Sequence, residues 1–465
     1  MSNPSASVPA AEDAAAKLKM SEKVGYAFGD FASCLYFGIF MNFLTYYYTD
    51  VMVIGALAAS AMIASVRTWD WINDAIMGVI ADRTKSKMGR FRPWLIWMIP
   101  PYMIIGVLTF TAFDLSDSGR LVYAYITYTA ITMVYTAINV PYSALMGVMT
   151  AKSEERTVLS SFRFVGAFAG TAVVSGTMLL LVKVLGGGNE RLGFTLAVSV
   201  YAVIAAISFF ITFKTSKERI KPPPAQKSNV WADLKGLAKN GPWVMMIIIS
   251  VLTIIWIAVR GGVTIHYFKY VSGHTEWGGY FHLTSNIVQL VGVLFTKQIA
   301  EFLGGKRRAF IIINFASAIF IALFYFVPAD NLPLLIGHQI ISCAVSAPLM
   351  PLFWSMIADT ADWGAWKLGQ RSTGLLFSAG TLSQKIGWSL GPALSLVLLN
   401  SFGFIANQDQ SPETIEGLRL IMSWIPAGFA VLAGVAVFFY KITPEVEKEM
   451  EAAIAANRSD EAAAS

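Results

Sequence analysis

Twelve apolar segments, each long enough to cross a lipid bilayer, constrain this chain more than any other feature. A helix needs about 20 apolar residues to span the hydrocarbon core, and inside lipid its backbone polar groups must pair with one another. The segments are residues 24–48, 53–80, 93–113, 121–149, 157–183, 192–213, 242–271, 277–302, 306–327, 332–360, 372–399 and 416–441. The sequence therefore predicts an all-α membrane protein with twelve transmembrane helices.

The composition supports a membrane protein and excludes other classes. Charged residues make up 14% of the chain, against roughly 25% in soluble domains, and the mean hydropathy is +0.58. The net charge of +6 does not indicate nucleic-acid binding, because the basic residues cluster in loops on one side of the predicted membrane. Cys34 and Cys343 lie in apolar segments and predict neither a disulfide framework nor a metal site.

The basic residues also predict the topology. One set of loops carries Arg83, Lys85, Lys87, Arg90, Arg92, Lys152, Arg156, the run between Lys214 and Lys239, Lys306, Arg307, Arg308, Lys367 and Arg371. The loops on the other side hold little beyond Arg120, Lys183, Arg191, Lys269 and Arg419. Cytoplasmic loops are the lysine- and arginine-rich ones, so both termini are expected in the cytoplasm.

The longest internal connection divides the predicted helices six plus six. It contains a triple proline and a basic amphipathic stretch, which is typical of a segment on the membrane surface. We predict five parts: a disordered cytoplasmic tail (1–20), an N-terminal six-helix bundle (21–213), a cytoplasmic central loop (214–241), a C-terminal six-helix bundle (242–441) and a cytoplasmic C-terminal tail (442–465). Two parallel six-helix halves around a midplane site make up the major facilitator fold.

A stripe of polar residues lies on the second predicted helix. Arg67, Asp70, Asn73 and Asp74 are spaced so that a 3.6-residue period places them along one side. Charged side chains at bilayer depth are costly and mark ion or substrate routes. A structural alternative is that Arg67 or Arg163 neutralises the acids and the cluster only fixes helix packing.

A charge count favours ion binding. Asp30 on the first predicted helix and Asp74 on the second each lie about 10 Å from the cytoplasmic end of their helix, by the 1.5 Å rise per residue, so the two can meet. Together with Asp70, these make three acids against two arginines, Arg67 and Arg163. One monovalent cation or one proton would balance the remaining negative charge.

Further polar residues lie deep in predicted helices of both halves. Thr136, Asn139 and Ser143 share a face of the fourth helix, where hydrogen bonding between helices is an equally good explanation. Lys385, one turn after Thr381 on the eleventh helix, lies too far from either helix end for its charge to reach the membrane surface. A functional role for this lysine is therefore favoured.

Two further residues are functional candidates, whereas catalytic motifs are absent from the sequence. Arg260 on the seventh predicted helix resembles Lys385 but is expected nearer the outer vestibule, and Trp354, which lies away from the helix ends, can stack on a ring. The sequence shows no Gly-rich phosphate loop and no Ser/His/Asp or Cys/His arrangement. We therefore predict no enzymatic activity and no cofactor.

Eight motifs occur in order over about residues 20–445. They are YAFGDF (26–31), YYYTD (46–50), RTWDWIND (67–74), ADRTKSKMGRFRPW (81–94), NVPY (139–142), ERTVLSSFRF (155–164), ADTADWGAWKLGQR (358–371) and SQKIG (383–387). In these motifs the chain resembles the glycoside–pentoside–hexuronide:cation symporters of the major facilitator superfamily. It is similar to melibiose permease and, more closely, to xyloside and isoprimeverose transporters. The resemblance implies a multi-pass protein of the bacterial inner membrane that works as a monomer.

The resemblance also implies residue roles. In the family, the two aspartates of the helix-two motif bind the coupling cation, which implies that role for Asp70 and Asp74, with Asn73 and Thr136 beside them. The family's arginine after the loop between helices four and five and its lysine on helix eleven contact sugar. That points to Arg163 and Lys385, with Thr381 one turn before the lysine.

The chain departs from melibiose permease at four site positions. Cys34 and Asn139 replace two aspartates, and Ser143 and Met350 replace two sugar-stacking tryptophans. Asp30 lies one turn before Cys34, and Trp354 lies one turn after Met350, so each can take over part of a missing role. The lost acids favour a xyloside or glucoside over a galactoside, and a proton over Na⁺.

We therefore expect a secondary transporter that moves a small glycoside or pentoside inward with a proton or Na⁺ by alternating access. One alternative is a carrier for a sugar acid or amphiphile, whose carboxylate would meet Arg163 and Lys385. Another is a transport-dead sensor that binds sugar and signals through the central loop. The candidate cation-binding residues are Asp70, Asp74, Asn73, Thr136 and Asp30. The candidate substrate-binding residues are Arg163, Lys385, Asn139, Thr381, Trp354, Asp30, Cys34 and Ser143.

Overall fold

The chain folds into helices joined by short turns. The computed structural model describes residues 17–150, 153–219, 239–368, 373–450 and 453, and no strand occurs among them. The prediction of an all-α protein is confirmed. Most of the predicted N-terminal tail, the central loop and the end of the C-terminal tail lie outside the described residues. Contacts divide the chain into two compact units, Met1–Ala225 with Ile405–Gln408, and Gln226–Phe404 with Asp409–Ser465.

The first unit is built from long helices that pack on one another. Its helices are α1 (Met20–Asn42), α2 (Ala56–Arg83), α3 (Arg92–Trp97), α4 (Ile99–Thr109), α5 (Asp117–Met149), α6 (Ser153–Gly186) and α7 (Glu190–Thr215), with a helical turn at Leu44–Tyr46 and a π-helix at Tyr47–Val51 between α1 and α2. Helix α1 packs mainly on α6 and α7, and α2 packs mainly on α5. These two pairings hold the candidate polar residues of this unit.

The second unit has the same all-helical character. Its helices are α8 (Gly241–Tyr270), α9 (Trp277–Val293), α10 (Thr296–Phe302), α11 (Lys306–Leu323), α12 (Leu332–Ser346), α13 (Leu349–Leu368), α14 (Thr373–Ser401), α15 (Pro412–Met422) and α16 (Trp424–Val437), with a 3₁₀ turn at Phe324–Phe326 after α11. Helix α8 packs on α14 and α16, and α9 packs on α12.

Several spans that were predicted as single helices are interrupted. Residues 93–113 form α3 and α4, and Pro100 and Pro101 lie in the first turn of α4. Residues 332–360 form α12 and α13, and α13 begins directly after Pro348. Proline has no N–H to donate within a helix, so it is tolerated in a first turn and disfavoured in an interior. The predicted continuous helices are wrong at these two points, and also in residues 277–302 and 416–441, which form α9 with α10 and α15 with α16.

Many, but not all, of the described helices are long and apolar enough to span a membrane. Eight spans are long and apolar enough to cross a membrane by length and composition, including Leu332–Gly364, which joins α12 to most of α13. Helix α2 has 28 residues but is not among the eight, and it carries the charged stripe from Arg67 to Asp74. The count of twelve crossings therefore stays a prediction.

Two glycines set how closely α1 and α6 approach. A Cβ atom at Gly166 would overlap the backbone oxygen of Ala27, and one at Gly170 would lie 2.5 Å from the backbone oxygen of Phe31. Small residues of this kind let helix backbones touch inside a membrane. The close approach places Asp30 of α1 opposite Arg163 of α6.

Candidate functional site

Asp30 and Arg163 form an ion pair with two hydrogen bonds. The Nε atom of Arg163 donates to Oδ2 of Asp30 at 2.5 Å, and Nη2 donates to Oδ1 at 3.3 Å. The side chains are 14% and 23% exposed, respectively. The planar guanidinium fork matches a carboxylate along this edge. The pair as a whole is neutral, so the charge of Arg163 is already matched by the protein.

Two tyrosines pack beside this ion pair, and neither was among the predicted site residues. The hydroxyl of Tyr26 donates to the backbone oxygen of Tyr142 at 2.7 Å, and the hydroxyl of Tyr142 donates to the backbone oxygen of Tyr26 at 2.7 Å. Their rings stack with centroids 4.6 Å apart, and the guanidinium carbon of Arg163 lies 5.0 Å from the Tyr142 ring. Tyr26 lies one turn before Asp30, so the helical period could have indicated its place.

Two carboxylates share a single hydroxyl between α2 and α5. The Oγ1 atom of Thr136 lies 3.0 Å from Oδ1 of Asp70 and 3.0 Å from Oδ1 of Asp74. A threonine hydroxyl carries one proton, so it can donate to only one of the two acids. A further proton or a bound cation would satisfy the other contact. The structure thus brings together three of the predicted cation-binding residues.

The neighbours of this cluster define its setting. Asn73, on the same helix, is buried, and its Nδ2 atom has no hydrogen-bond partner among the described residues. Arg67 lies over two rings, with its guanidinium carbon 5.9 Å from the Phe40 centroid and 5.7 Å from that of Tyr128. The described groups of His, Cys, Asp and Glu include no set of three that could hold a metal ion. The cation-binding role of these residues stays a prediction.

The hydrogen-bond partner of Asp30 differs from that of the two α2 aspartates. Its described bonds go to Arg163, whereas those of Asp70 and Asp74 go to Thr136. A role limited to helix packing, with an arginine neutralising the acid, therefore fits Asp30 better than it fits Asp70 and Asp74. A role for Asp30 in cation binding stays a prediction.

The other predicted sugar-binding residues of the first unit differ in setting. Asn139 donates from Nδ2 to the backbone oxygen of Tyr135 at 2.9 Å, which uses part of its amide within its own helix. Cys34 is a half-buried free thiol beside Gly170. Ser143 is exposed. Their sugar-binding roles stay predictions.

In the second unit, α13 and α14 bring predicted sugar-binding residues together. The Trp354 ring packs against Gly380, the residue before Thr381, and Gln384 Nε2 lies 3.7 Å from the sulfur of Met350. Lys385 is half-buried on the same helix. A flat aromatic ring therefore lies beside the turn of α14 that leads to this lysine.

Comparisons with known proteins show the family of the chain. The model of a family described as "MFS/sugar transport protein" matches residues 25–444. The chain belongs to this family. It is therefore a multi-pass membrane transporter and not an enzyme, and the resemblance found in the motifs is confirmed.

Relatives and solved structures add detail about the family. The chain is 33% identical to the putative glycoside/cation symporter YagG of Escherichia coli (strain K12), over 92% of this chain and 93% of that protein. It is 30% identical to the isoprimeverose transporter of Lactiplantibacillus pentosus, over 92% and 90%. The solved D-xylose-proton symporter has a TM-score of 0.64 at 14% identity and covers 92% of this chain and 97% of its own. This last likeness shows the major facilitator fold.

Proposed function

We propose that this transporter carries a neutral glycoside or pentoside into the cell together with one monovalent cation. The observation that carries the proposal is the single Thr136 hydroxyl shared by Asp70 and Asp74, because it leaves a place for one proton or one cation. Relatives named as a glycoside/cation symporter and an isoprimeverose transporter support the sugar class. The positive-inside pattern supports cytoplasmic termini in the inner membrane. Because one chain holds both candidate groups, it is expected to function as a monomer.

The coupling ion is best explained as a proton. A proton on one aspartate would donate to the Thr136 oxygen, whose own proton then goes to the other aspartate, so each contact of the cluster is satisfied. Na⁺ is a hard cation that takes oxygen ligands, and it binds better where several charged or carbonyl oxygens converge. With Cys34 and Asn139 in place of two acids, fewer such oxygens are present.

The ion can be identified in vesicles that contain the purified transporter. An inward pH gradient in sodium-free buffer is expected to drive glycoside uptake, and a protonophore is expected to abolish it. The control is a sodium jump at constant pH. If the sodium jump drives uptake and the protonophore has no effect on it, Na⁺ is the coupling ion and the proton assignment is wrong.

The paired state of Arg163 favours a neutral substrate over an anion. Asp30 already supplies the negative charge that Arg163 requires, so a uronate carboxylate would have to displace Asp30. A sugar has an apolar ring face and a rim of hydroxyls, which suits one aromatic platform with polar groups around it. Trp354 is the proposed platform, and Arg163, Lys385, Thr381 and Asn139 are proposed for the rim.

Competition measurements test this substrate class. Unlabelled xylosides and glucosides are expected to displace a labelled glycoside better than galactosides or uronates do. In Asp30→Asn, Arg163 loses its counter-charge, so competition by uronates is expected to strengthen relative to neutral glycosides. A uronate that outcompetes every neutral glycoside on the parent protein would contradict the neutral-sugar proposal.

A uronate carrier is the second candidate function. It is favoured by the half-buried Lys385 and by a relative named "Glucuronide carrier protein homolog" of Escherichia coli (strain K12), which is 31% identical over 92% of this chain. In that function Lys385 and Arg163 would hold the carboxylate. The same competition measurement separates the two candidates, and a transport-dead sensor would bind sugar without any uptake.

A further inference from the structure

Arg260 is a buried cation inside the second unit. It lies on α8 and is 6% exposed. Its expected position near the outer vestibule stays a prediction. Its Nε and Nη2 atoms are both buried without a hydrogen-bond partner among the described residues. These two N–H groups form one edge of the guanidinium. Arg163 uses the same edge to hold Asp30.

The aromatic contacts of Arg260 come from elements that contain no carboxylate. Its guanidinium carbon lies 5.4 Å from the Phe281 ring of α9 and 4.9 Å from the Phe324 ring after α11, and His338 of α12 packs on Phe324 with centroids 5.4 Å apart. Neither Asp nor Glu occurs in α8, α9, α11, α12 or the Phe324–Phe326 turn. None of the described ion pairs includes Arg260.

The aromatic contacts do not balance this charge. Arginine stays protonated in proteins, so the charge cannot be removed by loss of a proton. Burial of an unpaired ion costs more than two contacts with aromatic ring faces recover. Ring faces also supply no acceptor for both N–H groups of the edge. The side chains within electrostatic range include Tyr267, Cys343, His282 and His338, and none of them carries a permanent negative charge.

We propose that the Nε and Nη2 edge of Arg260 binds one small monovalent anion of the chloride class within the second unit. The edge offers two parallel donors, which is the geometry that holds an anion in a bidentate manner. The anion supplies the counter-charge that no described ion pair gives to Arg260. Arg260 is not among the residues proposed to bind the sugar or the cation, and this proposal does not depend on which sugar or cation is carried.

The test is the thermal stability of the purified full-length transporter in detergent, with chloride titrated against gluconate at constant sodium concentration and constant ionic strength. A ligand that binds only the folded state raises the melting temperature in a saturable way. We expect such a rise in the parent protein and its loss in Arg260→Met. A melting temperature that does not respond to chloride, or that rises without saturation, overturns the proposal. Retention of the full response in Arg260→Met also overturns it.

Arg419→Met is the matched control. Arg419 also contacts an aromatic ring, at 4.6 Å from Tyr325, but it has an acid, Glu416, at 3.9 Å and donates to the backbone oxygen of Tyr325. The chloride response is expected to persist in this variant. If Arg260→Met fails to fold, chloride-35 NMR on the parent protein decides the matter. Broadening of the chloride line that added bromide reverses supports the site. Absence of such broadening, as expected if water alone solvates Arg260, contradicts it.

Discussion

Asp70→Asn and Asp74→Asn are each expected to abolish gradient-driven accumulation of glycoside while leaving binding and exchange measurable. Asparagine can still hydrogen-bond to Thr136, but it cannot take up the coupling proton or supply its negative charge. A membrane potential of 100 mV is worth about 2.3 kcal/mol per charge moved, so accumulation should fall by roughly 50-fold per 100 mV. The measurements are uptake of labelled glycoside into energised vesicles and counterflow exchange without a gradient.

Asp117→Asn is the control for this loss. Asp117 begins α5, the helix that carries Thr136, but its side chain is 94% exposed and pairs with Arg120 at 3.5 Å at the surface. Pairs of this kind contribute about 1 kcal/mol or less, so accumulation should remain at the level of the parent protein. If both α2 variants concentrate glycoside as well as the parent does, the cation site lies elsewhere.

Arg163→Ala is expected to weaken glycoside binding by roughly 100-fold or more, because it removes several donors whose charge strengthens hydrogen bonds to sugar hydroxyls. It also leaves Asp30 as a buried acid without its arginine, which destabilises a protein by about 3–5 kcal/mol. The binding loss and the stability loss therefore have to be separated. Equilibrium binding of labelled glycoside measures the first, and thermal unfolding measures the second.

The double variant Asp30→Ala/Arg163→Ala separates them. It removes the unpaired acid, so the melting temperature should return toward that of the parent, whereas binding should stay weak. Arg191→Ala is the matched control, because Arg191 pairs with Asp114 at an exposed site, with side chains 40% and 96% exposed. Binding that recovers in the double variant would show that Arg163 acts only on packing.

The candidate cation cluster could be predicted from sequence because it follows helical periodicity. The spacing of Asp70, Asn73 and Asp74 requires only a 3.6-residue repeat. The motif resemblance implied that Thr136 lies beside them. The ends of most helices were also predictable, since apolar length defines a transmembrane span. The breaks in the spans 93–113 and 332–360 coincide with prolines that the sequence already showed.

The rest depends on contacts between helices that are distant in the chain. Asp30 and Arg163 are 133 residues apart, and they meet because Gly166 and Gly170 let α1 approach α6 closely. The stacked Tyr26 and Tyr142 are 116 residues apart. A single sequence contains no information about which of its distant residues pair. The burial of Arg260 against Phe281 and Phe324 was unpredictable for the same reason.

The central claim is that a cation gradient drives glycoside accumulation through the Asp70–Thr136–Asp74 cluster. Uptake of a labelled xyloside or glucoside into vesicles, with and without an imposed cation gradient, tests it most directly. We expect accumulation above the external concentration with the gradient and simple equilibration without it. Equal uptake in both conditions, or bound sugar with no uptake in either, would contradict the claim.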